Sequence, residues 1–174
     1  MDEKERLNAL EVALNNELKE RDFYLKHAER TKNPLGKAMF GHIANEELEH
    51  YTRLKELHAI WEKQGKWPET VPLTVNNTNV KEILVKTIKN VDTTAKAGAD
   101  DLEAITIACN FEEKGVKFYT ELADSSTDPR EKEFFTLISM IENEHYMSLR
   151  DAEEYFIDPT SWFVRVEHHS LDGA

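Results

Sequence analysis

An internal repeat limits most strongly what this chain can fold into. Residues of the first half recur in the second half at a constant offset, which is 95 positions between Glu17 and Glu112 and again between His50 and His145. The repeated residues are Glu17, Phe23, Tyr24, Phe40, Ile43, Glu47, Glu49, His50, Tyr51 and Leu54, which recur as Glu112, Phe118, Tyr119, Phe135, Ile138, Glu142, Glu144, His145, Tyr146 and Leu149. This pattern indicates that one helical hairpin has been duplicated. Two copies packed about a pseudo-twofold axis would bring matching side chains face to face.

The composition favours a few long helices. The 174 residues include only six Gly and five Pro, which leaves little material for turns. With 40% hydrophobic and 32% charged residues, the chain has the composition of a soluble globular protein. Its length suits one domain and is sufficient to bury a core without disulfide bonds. We therefore expect an all-α fold.

Charge and cysteine content argue against several classes of protein. The net charge of −12 disfavours binding to nucleic acid or to an anionic membrane. The single cysteine, Cys109, excludes an internal disulfide framework and a four-cysteine metal site. The chain has no run of about 18 apolar residues, and it opens on an acidic stretch without the features of a secretory signal. We therefore expect a cytoplasmic protein with no membrane-spanning segment.

Helical periodicity and end signals predict four long helices and one short helix. The first runs from about Lys4 to Arg30 and stops before Asn33-Pro34, because a residue that precedes proline disfavours the helical conformation. The others are expected over about Leu35 to Lys63, Val80 to Asn90, Asp100 or Asp101 (as N-cap) to Asp124, and Asp128 (as N-cap, before Pro129) to Phe156. Residues 65–79, with Pro68 and Pro72, lack helical periodicity.

The connections between these helices predict the topology. Short connections follow the first and third long helices, and a long crossover containing the short helix joins the second to the third. This is the connectivity of ferritin-like four-helix bundles. We assign residues 1–156 to the bundle and residues 157–174 to a C-terminal tail without a clear helical pattern.

The tail combines large apolar residues with an acidic-histidine cluster. We expect Trp162 and Phe163 to dock on the bundle or on a partner chain. Glu167, His168 and His169 form a weaker candidate for a metal site, because adjacent histidines point in different directions in most backbones.

Each long helix carries ionisable residues in the middle of a largely apolar stripe. The stripes follow the alternating steps of three and four residues that are typical of helix bundles. They comprise Leu7, Leu10, Leu14, Glu17, Arg21, Tyr24 and Ala28; Phe40, Ile43, Glu47, His50, Leu54, Leu57 and Trp61; Leu102, Ile105, Cys109, Glu112, Val116, Tyr119 and Ala123; and Phe135, Ile138, Glu142, His145, Leu149, Ala152 and Phe156. Four Glu and two His therefore fall into one layer.

Four glutamates in a core require compensating positive charge. Burial of one unpaired charge costs several kcal/mol, so four would cost about the whole stability of a domain. Two divalent cations would cancel the four carboxylates and leave both histidines as neutral ligands. Oxygen-rich ligation with one imidazole for each metal suits iron or manganese better than zinc. Two Glu-x-x-His pairs together with two lone glutamates form the pattern of a carboxylate-bridged dimetal site.

Other ionisable residues lie outside the stripes. We expect Glu46, Glu49, Glu113 and Glu144 to be solvated, His27, His42 and His58 to be ordinary surface residues, and Cys109 to be a small core residue. The alternative is that the stripes themselves face solvent, which would also expose their flanking apolar residues.

The motifs EELEH at residues 46–50 and ENEHY at residues 142–146 carry most of a resemblance to the rubrerythrin-like branch of the ferritin-like superfamily. The resemblance covers about residues 4–156. It implies a di-iron site in a four-helix bundle that reduces hydrogen peroxide to water. It also implies that Glu17, Glu47, Glu112 and Glu142 are carboxylate ligands and that His50 and His145 are terminal nitrogen ligands.

Two departures from the family pattern bear on function. Full-length family members end in a Cys₄ iron module that supplies electrons, which one cysteine cannot build, so electrons would come from a separate partner such as a rubredoxin or a flavin reductase. The family also has a further glutamate ligand three residues after the lone glutamate of the third long helix, where this chain has Gly115. Our hypothesis is that Glu20 replaces it from the other half, with Gly115 leaving space across the bundle. The alternative is a solvent-facing Glu20.

Tyr24 and Tyr119 lie two helical turns after the lone glutamates on the same helix face. Their hydroxyl groups either donate hydrogen bonds to ligand carboxylates and so orient the metal site, or belong to ordinary core packing.

Different functions would use the same six residues. A ferroxidase or iron-storage protein would need a cage assembly, and a dimanganese catalase would need no external electrons. A binding module without metal conflicts with the buried charge. We expect a di-iron peroxidase that forms a homodimer.

Overall fold

The fold is all-α, as predicted. The computed structural model describes residues 3–68, 75–90 and 98–171, with side chains described for residues 4–68, 75–88 and 98–165. This part of the chain forms six helices, which are α1 (Glu3–Arg30), α2 (Pro34–Gln64), α3 (Val80–Asn90), α4 (Ala99–Ser125), α5 (Pro129–Ile157) and α6 (Pro159–Leu171). None of the described helices is long and apolar enough to cross a membrane. The crossover is non-helical at residues 65–68 and 75–79, and residues 69–74, which include Pro72, lie outside the described residues.

The helix ends follow from local chemistry. The side chain of Asn33 caps α2 by accepting hydrogen bonds from the backbone N–H groups of Leu35 and Gly36 at 2.9 and 3.2 Å. Gly65 ends α2 in the left-handed conformation, with φ of 63°, which glycine adopts at little cost. Asp128 caps α5 in the predicted way, with Pro129 in its first turn.

The prediction was wrong for the start of α4. Gly98 is the N-cap, and Asp101 lies in the first turn, where its carboxylate accepts a hydrogen bond from the Gly98 backbone N–H at 3.1 Å. Both Asp100 and Asp101 therefore lie inside the helix. There their negative charge is favourable, because the N-terminal end of a helix carries partial positive charge.

The prediction was also wrong for the tail, because residues 159–171 form the helix α6. Asp158 starts this helix by accepting hydrogen bonds from the Ser161 backbone N–H at 3.1 Å and from its hydroxyl at 2.6 Å. The pair Asp158-Pro159 is the same start signal as Asp128-Pro129, so the sequence carried the necessary information. α6 folds back on α5, where buried Trp162 packs edge-on against Tyr155 at 5.6 Å between ring centroids.

The helices form two antiparallel hairpins joined by the crossover. α1 packs along α2 and α4 along α5, while α3 bridges α2 and α5. The buried apolar side chains fall into two clusters, one around Phe40 and Leu149 and the other around Leu54 and Phe135. The six-residue charged layer lies between these clusters along all four long helices. Apolar packing therefore closes the layer off from above and below.

Candidate metal centre

The six residues of the predicted layer meet in one buried cluster. α1 supplies Glu17, α2 supplies Glu47 and His50, α4 supplies Glu112, and α5 supplies Glu142 and His145. None of these residues is more than 1% exposed. The alternative that the stripes face solvent is therefore wrong for this layer.

The cluster divides into two overlapping groups of candidate ligands. One group consists of Glu17, Glu47, His50 and Glu142, and the other consists of Glu47, Glu112, Glu142 and His145. Within each group, one candidate ligand atom from every residue lies within 4.8 Å of the others. Glu47 and Glu142 belong to both groups, so each has a carboxylate placed to bridge two ions. The repeat explains this arrangement, because its offset turns one group into the other.

The distances between these atoms fit a metal site. The Nδ1 atom of His50 lies 3.2 Å from Glu17 Oε2, 3.1 Å from Glu47 Oε2 and 3.2 Å from Glu142 Oε1. The Nδ1 atom of His145 lies 3.3 Å from Glu47 Oε1 and 3.4 Å from Glu112 Oε2. Ligand atoms held at about 2.1 Å from one ion in tetrahedral or octahedral geometry lie roughly 3.0–3.4 Å apart.

Unsatisfied polar atoms also point to a metal pair. Buried carboxylate oxygens of Glu17, Glu47, Glu112 and Glu142, and the Nδ1 atom of His145, have no hydrogen-bond partner in the described part of the chain. A buried polar atom without a partner costs free energy, and native structures rarely leave several in one place. Metal–ligand bonds would satisfy all of these atoms, so the residues present fit a dimetal centre.

The electrostatics show how the cluster balances its charge without metal. Burial raises the pKa of Glu17 and Glu112 well above the usual glutamate range, and neighbouring carboxylates add to this shift. Burial alone would lower the pKa of His50 and His145, but the surrounding carboxylates outweigh it and raise both well above 6.5. Burial also works against the charged form of Glu47, yet the two histidines hold its pKa well below the usual range. The shifts have one physical origin, which is a buried layer rich in carboxylates that favours positive charge, and bound cations would supply that charge.

Both tyrosines donate hydrogen bonds to glutamates of the cluster. The Tyr24 hydroxyl donates to Glu112, and the Tyr119 hydroxyl donates to Glu17. Each bond crosses from one hairpin to the other, so it ties a lone glutamate to the opposite half of the repeat. Burial, followed by the facing carboxylate, raises the pKa of both hydroxyl groups well above 10, which keeps them protonated donors. Of the two roles left open for these tyrosines, the hydrogen-bonding geometry matches the one that orients ligand carboxylates.

Glu20 is buried on the side of α1 that faces the cluster, and it is only 9% exposed. Burial raises its pKa well above the usual range, with Glu142 the next largest influence and Glu17 after it. The space above Gly115 is taken by Glu142, whose Oε2 would lie 3.1 Å from an added Cβ. The absence of a side chain at Gly115 therefore leaves space for the Glu142 carboxylate of α5. Our hypothesis is that this space serves Glu20. Glu20 does not belong to either four-residue group.

Glu46 contacts the cluster although its position in the sequence does not predict it. We expected it to be solvated, but its carboxylate accepts a hydrogen bond from Nε2 of His145 at 2.6 Å and another from the Thr78 hydroxyl at 2.7 Å. His42, expected to be an ordinary surface residue, has its Nε2 3.0 Å from the other oxygen of Glu46. A carboxylate one position before the Glu-x-x-His motif was the available signal.

The remaining predicted residues lie away from the cluster. Glu113 and Glu144 are exposed, and Glu49 accepts hydrogen bonds from Asn76 of the crossover. Arg21 pairs with Asp22 at 3.6 Å, and among the described residues it forms no ion pair with a glutamate of the cluster. Burial raises the pKa of Cys109 to about 11, as expected for a core thiol. The side chains of Glu167, His168 and His169 lie outside the described residues.

Comparison with known proteins agrees with this site. A family model described as Rubrerythrin matches residues 8–153, which include all six residues of the cluster. The chain belongs to the rubrerythrin family. No curated protein and no solved structure matches it. Family membership confirms the resemblance carried by EELEH and ENEHY, and with the buried carboxylate and histidine groups it indicates a di-iron type of protein. The 174 residues contain one cysteine, Cys109, which is too few for a four-cysteine iron site.

Proposed function

We propose that this rubrerythrin-family protein is a di-iron peroxidase that reduces hydrogen peroxide to water. The observation that carries the proposal is the pair of overlapping ligand groups, which share Glu47 and Glu142 and have one imidazole each. Since the 174 residues contain only one cysteine, Cys109, we propose that electrons come from a separate redox protein, such as a rubredoxin or a flavin reductase. We also propose that the protein acts as a homodimer.

The residues have distinct tasks in this proposal. Glu47 and Glu142 would hold both ions, Glu17 and His50 would complete one position, and Glu112 and His145 would complete the other. When bound, an iron pair supplies one electron from each ion and Lewis-acid polarisation of the O–O bond.

The surroundings of the centre support the same chemistry. The Tyr24 and Tyr119 hydroxyls fix the orientation of Glu112 and Glu17. The two apolar clusters above and below the layer exclude water, which strengthens electrostatic interactions within it. Water formation consumes two protons for each peroxide reduced, and a further carboxyl group is that of Glu20, which is buried beside the cluster and whose pKa is raised by burial and by Glu142.

The proposal is tested by metal analysis and peroxide consumption on the same anaerobically purified sample. We expect two irons per chain and rapid oxidation of the reduced protein by stoichiometric peroxide. Glu142→Gln should lose metal from both positions, while Glu144→Gln, an exposed residue on the same helix, should retain it. Two manganese ions with oxygen evolution would assign the protein to the catalases, and failure to bind metal on reconstitution would reject the dimetal centre.

We further propose that Glu20 is an additional carboxylate of the centre. Its burial without a hydrogen bond or ion pair to any described residue supports this role. We expect Glu20→Gln to weaken metal binding and to slow peroxide turnover, whereas Asp22→Asn, an exposed substitution on the same helix, should change neither. A Glu20→Ala variant with full metal content and unchanged turnover would reject the role.

A further inference from the structure

We propose that the two metal positions are not equivalent, and that Glu46 makes the position at His145 the tighter one, so that it fills first. This inference rests on the proposed dimetal centre and deepens it, because it concerns the order in which the centre is loaded.

Glu46 is fixed in place behind His145. Its Oε2 atom lies 2.6 Å from Nε2 of His145, while Nδ1 of the same ring faces the cluster carboxylates. The Thr78 hydroxyl donates to Oε2 at 2.7 Å, and Nε2 of His42 lies 3.0 Å from Oε1. Contacts from α2, α5 and the crossover therefore hold this carboxylate. The pairing also assigns the proton of neutral His145 to Nε2 and leaves Nδ1 free to bind a metal.

The other half of the repeat lacks this arrangement. His50 also turns Nδ1 toward the cluster, but no described residue forms a hydrogen bond or an ion pair with its Nε2. The repeat offset places Ile141 opposite Glu46 and Leu137 opposite His42. Glu46 contacts the Nε2 atom of His145 and His42 contacts Glu46, whereas the residues at the equivalent positions of the other half, Ile141 and Leu137, are apolar. The six cluster residues obey the pseudo-twofold symmetry, and their supporting residues break it.

This asymmetry has a predictable energetic consequence. A carboxylate that accepts the second N–H of a metal-binding histidine fixes its orientation and increases its basicity. Loss of such a partner typically reduces metal affinity by about 10–100-fold. His145 has such a partner, and His50 has none among the described residues. The first ion should therefore occupy the group of Glu47, Glu112, Glu142 and His145.

Titration of metal-free protein with Co(II) tests the order of loading. Calorimetry should resolve two binding steps whose affinities differ by roughly 10–100-fold. Anomalous diffraction from crystals grown with one equivalent of Co(II) should place that ion beside His145. Two equal steps, or a first ion beside His50, would overturn the inference.

A matched pair of variants tests whether Glu46 is the cause. Glu46→Gln keeps the size of the side chain and removes its charge, so we expect the first binding step to weaken about tenfold and the second to change little. Glu49→Gln removes the same charge from the same helix, but Glu49 contacts Asn76 and none of the described histidines, so both steps should stay near the wild-type values. If Glu46→Gln behaved like Glu49→Gln, the inference would be wrong.

These results also separate the inference from the proposed reaction. Ordered Co(II) binding without any peroxide reduction by the iron-loaded protein would support the inference and reject the peroxidase function. Absence of Co(II) binding would reject both.

Discussion

Substitution of Gly115 by alanine tests whether the shape of the bundle is adapted to a bridging carboxylate. Gly115 lies inside α4, and an added Cβ would be 3.1 Å from Glu142 Oε2 and 3.3 Å from its Cγ and Cδ atoms. These separations are a few tenths of an ångström shorter than ordinary van der Waals contact. Glu142 would therefore have to move away from the position in which it belongs to both ligand groups.

Two effects of Gly115→Ala oppose each other, and their balance depends on metal. Alanine is favoured over glycine inside a helix by about 1 kcal/mol, which for a chain of this size raises the melting temperature by about 2–4 °C. Without metal, the Glu142 carboxylate can shift, so part of this gain should remain. With metal, the side chain is fixed by two ions, and we expect each to bind at least about tenfold more weakly, equivalent to about 1.4 kcal/mol.

The control is Gly41→Ala, the same change inside α2. There the added Cβ would lie 4.0 Å from the Cβ of Ala28, which is ordinary contact and involves no cluster residue. We expect this variant to gain about 1 kcal/mol with and without metal and to bind metal normally. Thermal unfolding in chelator and in excess metal, together with metal titration, measures both effects. If Gly115→Ala matched Gly41→Ala in stability and in metal affinity, our reading of Gly115 would be refuted.

Two further predictions concern protons and orientation. The metal-free protein should lose stability as pH rises above about 6.5, because folding raises the pKa values of His50, His145 and Glu17. The expected loss is about 1.4 kcal/mol per pH unit for each extra proton that the folded state holds. Thermal unfolding between pH 6 and pH 9 should show this slope in chelator and a flatter slope with metal, and a slope of the opposite sign would contradict the assignment. Tyr119→Phe should keep the fold and lower metal affinity by about 10–100-fold at the position of Glu17, because the hydroxyl that orients this carboxylate is lost. Metal titration measures the effect, with Phe118→Leu as the control. Unchanged affinity would show that the Tyr119 hydroxyl does not orient Glu17.

The fold could be predicted from the sequence because local and global signals agree. Helical stripes, Asn33-Pro34 and Asp128-Pro129 each mark a boundary that the structure places within a few residues. The start of α4 and the helix α6 were mispredicted where polar residues admit two interpretations. Asp101 caps the backbone from inside the helix, and Asp158-Pro159 opens a helix that is short, so its apolar period is weak. Tertiary contact of Trp162 with Tyr155 adds the stabilisation that periodicity does not reveal.

The cluster itself was predictable because its residues conflict with their surroundings. A glutamate within an apolar stripe has a large cost unless something compensates it, so Glu17 and Glu112 stand out in the sequence without any structure. Glu46 does not stand out, because it lies beside the stripe among other acidic residues. Its role depends on the approach of α5 from the other hairpin and on Thr78 of the crossover, and no periodicity within α2 encodes those contacts.

Residues that repeat and residues that do not repeat have different roles in this molecule. The repeated glutamates and histidines define two matching ligand groups, because duplication of one hairpin produces both at once. A symmetric pair of positions would have no preferred order of loading and no preferred side for an additional ligand. Two pairs of equivalent positions break this symmetry, because Glu20 of the first half corresponds to Gly115 and Glu46 corresponds to Ile141. Both differences lie next to the cluster, and both put the additional carboxylate on the first hairpin. The repeated residues provide the same ligand types at both metal positions. A difference in affinity between the two positions should therefore depend on the unrepeated residues of α1 and α2.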